Sequence, residues 1–112
     1  MTLINRGSVW WVDFNPSVGG EIKKTRPAIV VSNNISNNTL NRVQVVPVTS
    51  NIRKCYPFEV FVMIKNRKST AKADQITTVS KKRLKKKITN LTDLEMLKIE
   101  NILKLQLALF IV

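Results

Sequence analysis

The loop that precedes Pro27 contains the side chains best suited to chemistry. Arg26 stands where a basic, glycine-containing loop meets an apolar run, so a strand there would hold its guanidinium rigidly at a surface cleft. A guanidinium binds two phosphate oxygens at once, which a Lys ammonium cannot do. Glu21, Lys23 and Lys24 belong to the same loop, which could close over a bound anion. From composition alone, a surface salt bridge explains Arg26 equally well.

Two hydroxyl groups, those of Thr49 and Ser50, follow an apolar segment that contains Pro47. Hydroxyls at the end of a strand can donate hydrogen bonds to a phosphate. Taken alone, the pair is better explained as the transition from a strand to a turn.

The chain lacks the residue types and spacings of several common catalytic sites. It contains no His and one Cys, Cys55, which excludes His-based catalysis, zinc sites with several Cys or His ligands, and an internal disulfide framework. Its seven carboxylates are scattered without a paired-acid motif, which argues against a two-metal nuclease. Gly19-Gly20 and Lys23-Lys24 lack the spacing of a P-loop.

What remains is a metal-free mechanism that uses an Arg, a carboxylate and a hydroxyl. RNA permits such a mechanism, because its own 2′-OH is a nucleophile held beside the scissile phosphate. A protein must then align this hydroxyl in line, stabilise the charge on the phosphorane oxygens, and move protons to and from the reacting oxygens.

The charge of the chain favours a polyanionic partner, with nucleic acid as the leading class. The sequence has 19 Lys and Arg against 7 Asp and Glu, a formal net charge of +12. Each phosphate that such a surface neutralises releases a counterion, which drives binding. The densest run, Lys81–Lys87, has one apolar residue in seven and so lacks a face that inserts into an anionic membrane. For this run, a solvated surface that maintains solubility is an equally good explanation.

Length and composition indicate a small globular protein. The 112 residues suffice for a single domain, 1–112, and the 44% hydrophobic content is that of a chain with a core. The N-terminus lacks the long apolar segment of a signal peptide. The most apolar stretch, Leu105–Val112, is far shorter than the roughly 20 residues that span a bilayer. With the single thiol, these features predict a cytoplasmic protein that does not bind membranes.

Strand patterns dominate the first two-thirds of the chain. Runs of β-branched, aromatic and apolar residues predict about five strands, with turn residues from Asn33 to Asn38. The candidate strands are Ser8–Phe14, Pro27–Ser32, Arg42–Thr49, Pro57–Ile64 and a shorter one around Ala73–Val79. Pro47 suggests an edge strand or a bulge.

A helix ends the chain. Thr92 and Glu95 form a capping box. A helical stripe of apolar residues follows, formed by Met96, Ile99, Leu103, Leu107 and Phe110. The predicted fold class is mainly β with α: a small antiparallel barrel or curled sheet closed by a C-terminal helix.

Two neighbouring tryptophans, Trp10 and Trp11, can stack on RNA bases as aromatic residues do in single-strand binders. Their side chains point to opposite faces of a strand, which predicts that one lies in the core and the other near an interface or a cleft. Cys55 has neither a partner nor a base beside it and is interpreted as an ordinary thiol.

Six groups of short segments follow one another in an informative order. They are Arg6–Trp10 with Val12–Pro16, Gly20-Glu21 with Thr25–Asn33, Val46–Ser50, Tyr56–Val60, Ala73–Val79, and Arg83-Leu84 with the helix after Thr92. In this order, and over nearly the whole chain, they resemble the MazF/PemK/Kid family of toxin endoribonucleases.

The resemblance implies an SH3-like barrel with helical additions, a homodimer, and cleavage of single-stranded RNA at short sequences without a metal or other cofactor. The expected products are a 2′,3′-cyclic phosphate and a 5′-OH. By similarity, Arg26 transfers protons and stabilises the phosphate, and Thr49 stabilises the transition state. Glu21 is a candidate for proton transfer or for tuning Arg26. Because a free guanidinium is protonated at neutral pH, electrostatic stabilisation is the physically sounder role for Arg26.

The remaining candidate RNA-binding residues are Lys23, Lys24, Thr25, Ser50, Asp74 and Gln75. Asp74 and Gln75 match the DQ segment of the family, and loop anchoring is the alternative role for both. Some relatives carry a His before the Arg-Pro motif; this chain has none, so a mechanism that requires this His does not transfer. The expected protein partner is a cognate acidic antitoxin, partly disordered, which folds into the RNA cleft.

Two other functions stay open. One is a non-cleaving toxin of the same fold that inhibits DNA gyrase, against which the retained Arg26-Pro27 and Thr49-Ser50 argue. The other is a non-catalytic SH3-like RNA-binding module, in which Arg26 only contacts phosphate.

Overall fold

The computed structural model describes residues 3–109, which contain seven β-strands, two α-helices and two 3-10 turns. The strands are β1 (Ser8–Asp13), β2 (Thr25–Val30), β3 (Arg42–Thr49), β4 (Glu59–Ile64), β5 (Arg67–Lys72), β6 (Thr77–Ser80) and β7 (Leu84–Asn90). The helices are α1 (Asn34–Thr39), between β2 and β3, and α2 (Asp93–Gln106), after β7. The 3-10 turns are Ala73–Gln75 and Lys81–Arg83.

One antiparallel sheet contains all of these strands. Its order is β4-β5-β3-β2-β1-β7, with β6 paired to β3. Strand β3 changes partner along its length: Arg42–Val45 pairs with β6, whereas Val48 and Thr49 pair with β5. The sheet therefore curls around β3. Together with α2, this confirms the predicted antiparallel curled sheet with a C-terminal helix.

Pro47 lies where β3 changes partner. On the other edge of β3, Pro47 pairs with Ala28 of β2. The strand is therefore central, and the edge position that the proline suggested is wrong. A proline has no N–H for the ladder, and the interruption between β6 and β5 is a place where a sheet tolerates one.

Apolar side chains pack on both faces of the curled sheet. The cluster under α2 contains Val9, Ile29, Val46, Val48, Val62, Ile64, Ala71, Ala73, Met96, Ile99 and Ile102. The second cluster contains Trp10, Val12, Phe14, Ala28, Val30, Val43, Val45 and Val79. Neighbouring residues of a strand point to opposite faces, so the continuous apolar run of β2 supplies both clusters. The prediction that this run is a strand is confirmed, and the strand is buried on both faces.

Helix α2 begins as the capping pattern predicts. Thr92 is the N-cap, and its Oγ1 accepts a hydrogen bond from Glu95 N at 3.2 Å. The buried face is formed by Met96, Ile99 and Ile102, with Leu103 packed beside it. The predicted stripe is correct at Met96, Ile99 and Leu103. It is wrong at Leu107, which lies past the helix end and is 48% exposed. Phe110 lies outside the described residues.

Three elements were not predicted, because their sequences are polar. Strand β5 consists of three charged and three small residues, and β7 contains Lys85–Lys87. Helix α1 covers the segment predicted as a turn, because Asn33 caps it by accepting from Ser36 N at 2.9 Å. The predicted strand at Ala73–Val79 is a 3-10 turn followed by β6.

We expect Ile99→Ala to lower the free energy of unfolding by about 2–5 kcal/mol, because Ile99 is fully buried and its truncation leaves a cavity. Leu97→Ala, on the same helix but 51% exposed, is the matched control and should cost less than about 1 kcal/mol. Urea unfolding followed by tryptophan fluorescence measures both. Equal losses would contradict the packing of α2 described above.

Candidate functional site

The register between β2 and β3 brings Arg26 and Thr49 together. In this antiparallel ladder Ala28 pairs with Pro47. Arg26 lies two residues before Ala28 in β2, and Thr49 lies two residues after Pro47 at the end of β3. Both side chains line the same cleft. Two candidates that are 23 positions apart in sequence thus become neighbours through strand pairing.

The cleft beside this pair has a volume of about 530 Å³. Its walls come from the loop before β2, the end of β3, the segment between β3 and β4, the end of β5, and the 3-10 turn that follows. Five cations and two carboxylates line it: Lys23, Arg26, Arg53, Lys54, Lys72, Glu21 and Glu59. The excess of cations gives the cleft a field that attracts phosphate groups.

Arg26 is half-buried as a residue. Its Nε donates to the carbonyl oxygen of Lys23 at 3.4 Å, which ties the side chain to its own loop. Within residues 3–109 the structure contains three ion pairs, none of which includes Arg26. The surface salt bridge that composition allowed is therefore not found in the described chain, and the guanidinium can bind an anionic ligand.

The Thr49 hydroxyl keeps a donor for a ligand. Its Oγ1 accepts from Asn51 N at 3.2 Å, and a hydroxyl has one O–H donor besides its acceptor positions. The carbonyl of Asn51 accepts from the buried Thr70 Oγ1 at 2.9 Å. Strand β5 thus holds the turn after β3, which fixes Thr49 at the cleft.

The loop between β1 and β2 is anchored by side chains. Glu21 Oε1 accepts from Val18 N at 2.7 Å, which closes the glycine turn on itself. Gln75 reaches across from the 3-10 turn: its Oε1 accepts from Ile22 N at 3.1 Å and its Nε2 donates to Gly20 O at 3.2 Å. The loop that carries Glu21 is therefore held over the cleft.

The other sequence-predicted residues are divided between neighbouring clefts. Lys23 and Gln75 line the cleft of Arg26. Thr25 and Ser50 line an adjoining groove of about 290 Å³, which also contains Arg26 and Thr49. Asp74 lines a third depression beside Glu21 and Gln75.

Lys24 lines none of these three clefts. Its backbone has a positive φ of 67°, and its N–H donates to Asn15 Oδ1 at 3.0 Å. Lys24 therefore shapes the end of the loop through its backbone. The assignment of its side chain to RNA stays a prediction.

The two tryptophans lie as predicted. Trp10 is 7% exposed in the core, where its Nε1 donates to Ser8 Oγ at 2.9 Å. Trp11 is 41% exposed and lines the adjoining groove with Arg26 and Thr49. The prediction of one core residue and one residue near a cleft is confirmed.

Sequence reasoning missed a buried ion pair in the wall of the cleft. The Glu59 side chain is 4% exposed, and its Oε2 lies 3.3 Å from Lys72 Nζ. Its Oε1 accepts from Tyr56 N at 3.1 Å. Glu59 could have been noticed in the sequence, because it is the one acidic residue in the otherwise apolar segment of β4. No sequence signal pointed to Lys72, because β5 was not predicted.

Two further structural findings concern ligands and membranes. Within residues 3–109, carboxylate and thiol side chains form no group of three or more that could hold a metal ion. No helix in this part of the chain is both long and apolar enough to cross a membrane.

The fold and the site together define a small basic β-protein with a cation-lined cleft suited to a phosphate-bearing ligand. The family follows from comparison of the sequence. Residues 5–107 match the family of PemK-like, MazF-like toxins of type II toxin-antitoxin systems, and the chain belongs to this family. The family resemblance identified from the ordered segments is confirmed.

Individual relatives agree with this membership. The curated endoribonuclease MazF9 of Mycobacterium tuberculosis is 38% identical over 117 residues, which cover 96% of this chain and 99% of the relative. A mycobacterial endoribonuclease, solved in complex with its cognate antitoxin, is 26% identical with a TM-score of 0.82, covering 97% of this chain and 99% of that one. The crystal structure of MazF from Deinococcus radiodurans shares the fold, with a TM-score of 0.86 at 24% identity over 96% of this chain and 99% of that one.

We expect Gln75→Ala to release the loop over the cleft, because it removes both hydrogen bonds to Ile22 and Gly20. Amide hydrogen exchange should accelerate at Ile22, about tenfold or more, since each lost hydrogen bond contributes about 1 kcal/mol. Asp74→Ala, at the exposed neighbouring position, is the control and should leave this exchange unchanged. Unaltered exchange in the Gln75 variant would show that the loop is held by other contacts.

Proposed function

We propose that this toxin is a sequence-specific, metal-independent endoribonuclease that cleaves single-stranded mRNA in the cytoplasm as part of a toxin-antitoxin system. The observation that carries the proposal is the meeting of Arg26 and Thr49 at one cation-lined cleft. Its support from relatives is the endoribonuclease activity that the name of MazF9 states for that protein. We further propose that residues 1–112 act as one toxin domain.

The proposed reaction uses the 2′-OH of the substrate as the nucleophile. Its oxygen attacks the adjacent phosphorus, the bond to the 5′-oxygen breaks, and the products are a 2′,3′-cyclic phosphate and a 5′-OH. The 2′-OH loses a proton and the leaving oxygen gains one, so the step is balanced without a metal ion or a cofactor.

Arg26 and Thr49 are proposed to act on the charge that develops during this step. The guanidinium can bind two phosphorane oxygens at once, and the Thr49 hydroxyl can donate to another. Fixed donors aimed at developing charge stabilise a transition state more than a ground state. Glu21 carries the nearby carboxylate of the loop, and we assign it to proton transfer or to tuning the position of Arg26.

The RNA path is proposed to run over the residues that surround this pair. Lys23 and Gln75 lie on one side, and Thr25 and Ser50 lie on the other, in the adjoining groove. Lys24 and Asp74 are proposed to contact nucleotides farther along the RNA. Single-stranded RNA fits this role, because its unstacked bases can be read individually.

A homodimer and an acidic antitoxin are the proposed protein partners. Trp11 is exposed beside Arg26, and a second copy of the chain would cover its ring while Thr25 and Ser50 stay open to RNA. The net charge of +12 suits an acidic antitoxin segment that occupies the RNA cleft. The mycobacterial relative solved with its cognate antitoxin gives a precedent for such a complex.

Arg26→Ala should lower the rate of RNA cleavage by roughly 10²–10³, because it removes a donor that acts on the developing charge. Thr49→Val, which keeps the shape of the side chain but removes the hydroxyl, should also lower the cleavage rate. Arg42→Ala is the matched control: it removes the same charge from an exposed position at the far end of β3 and should retain cleavage. The assay uses a long, weakly structured RNA with excess EDTA, beside a DNA of the same sequence.

Cuts at one recurring short sequence, in RNA only, would support the proposed function. Binding without cuts would contradict it and favour a non-catalytic RNA-binding module. Neither binding nor cuts would favour the toxin that inhibits DNA gyrase. Full cleavage by the Arg26 variant would remove Arg26 from the mechanism.

The proposed dimer predicts a mass of twice the chain in sedimentation equilibrium at micromolar concentration. Trp11→Asp should shift the protein toward single chains, because it places a charge at the position where the second copy would cover the Trp11 ring. Asp substitution of Leu94, which is 76% exposed on α2, is the control and should leave the mass unchanged. A wild-type mass of one chain would contradict the dimer.

A further inference from the structure

An aromatic pair lies in the wall of the cleft, in the segment between β3 and β4. The rings of Tyr56 and Phe58 are stacked, with centroids 5.4 Å apart and planes inclined by 4°. Tyr56 is 48% exposed and lines the same cleft as Arg26 and Thr49, whereas Phe58 is only partly exposed. Phe58 therefore supports the tyrosine ring, and the tyrosine presents aromatic surface to the cleft.

The position of Tyr56 is fixed through its backbone. Its N–H donates to the buried carboxylate of Glu59, at 3.1 Å from Oε1, and its carbonyl accepts from Glu59 N at 2.8 Å. The other carboxylate oxygen of Glu59 is paired with Lys72 at 3.3 Å. A side chain that is already ordered loses less entropy when a ligand packs on it, so this ring is prepared for stacking.

Positively charged side chains lie around the Tyr56 ring, as in a site that binds a polyanion. Lys54 Nζ lies 5.8 Å from the centroid of the Tyr56 ring, and Arg53 lines the same cleft. Proteins that bind single-stranded nucleic acid combine a cationic groove with aromatic rings on which bases stack. The cleft contains both features next to Arg26.

We propose that Tyr56 is the stacking platform for an RNA base adjacent to the scissile phosphate, with Lys54 binding the phosphate of that nucleotide. This inference rests on the proposed ribonuclease function and adds a specific substrate contact to it. Tyr56 is favoured over Trp11, because five cations line the cleft of Tyr56 and three line the groove of Trp11. The aromatic ring contributes to binding, and Arg26 and Thr49 act on the reacting atoms.

The first test compares Tyr56→Leu with Tyr56→Phe. Loss of a stacked base should raise KM about 5- to 150-fold for Tyr56→Leu, with a smaller change in kcat. Tyr56→Phe keeps the ring and should recover most of this loss. Equal KM values for the Leu and Phe variants would overturn the proposal. Because Tyr56 is half-exposed, both variants should fold, and thermal unfolding checks this.

The salt dependence of binding separates stacking from charge. Affinity is measured in the slowly cleaving Arg26→Ala background, with a single-stranded RNA oligonucleotide. Lys54→Met should reduce the slope of log K against log salt by about 0.7, the value for one phosphate of a single strand. Tyr56→Leu should weaken binding without changing the slope. A changed slope for Tyr56→Leu would mean that it acts by displacing cations, which overturns the stacking role.

Photo-crosslinking locates the base directly. An RNA oligonucleotide with 5-iodouridine at successive positions, bound to the Arg26→Ala protein, should crosslink to Tyr56 from one position. Crosslinks to Trp11 and not to Tyr56 would overturn the proposal. This experiment does not depend on catalysis, so failure of the unaltered protein to cleave RNA would count against the ribonuclease function and leave the stacking to be judged by the crosslink.

Discussion

The antiparallel register of β2 and β3 is the constraint on which the site depends. It aligns the start of β2 with the end of β3, so that Arg26 and Thr49 line one cleft. A slip of one residue would move every side chain of one strand to the opposite face, taking apart both apolar clusters as well as the site. The residues that pack the core of β2 and β3 therefore also determine the geometry of the cleft.

Around this pair, side-chain hydrogen bonds hold the loops of the cleft. Gln75 fixes the loop before β2, Glu59 fixes the segment before β4, and Thr70 fixes the turn after β3. Each of these anchors contacts a backbone group of the loop that it holds. A cleft built in this way needs little rearrangement to receive a substrate. Electrostatic catalysis requires such preorganised groups.

Sequence patterns predicted the elements that contain apolar runs and missed those whose sequences are mainly polar. The strands β1 to β4 and the cap of α2 were recognised, because apolar runs and the Thr92 cap are local signals. Strand β5 was missed, because its sequence RKSTAK is polar and is stabilised by its partners β3 and β4. Arg26 was found at a strand boundary, whereas the Glu59–Lys72 pair depends on two strands meeting, which no local pattern contains.

The lysines of β7 have a consequence for the free protein. Lys85, Lys86 and Lys87 lie on the strand that ends the sheet, where a row of backbone groups faces outward without a neighbouring strand in the described chain. Such an edge invites the strand of another molecule, and repulsion between lysines opposes this pairing. The positive charge of β7 thus protects the uncomplexed toxin from assembling into extended sheets.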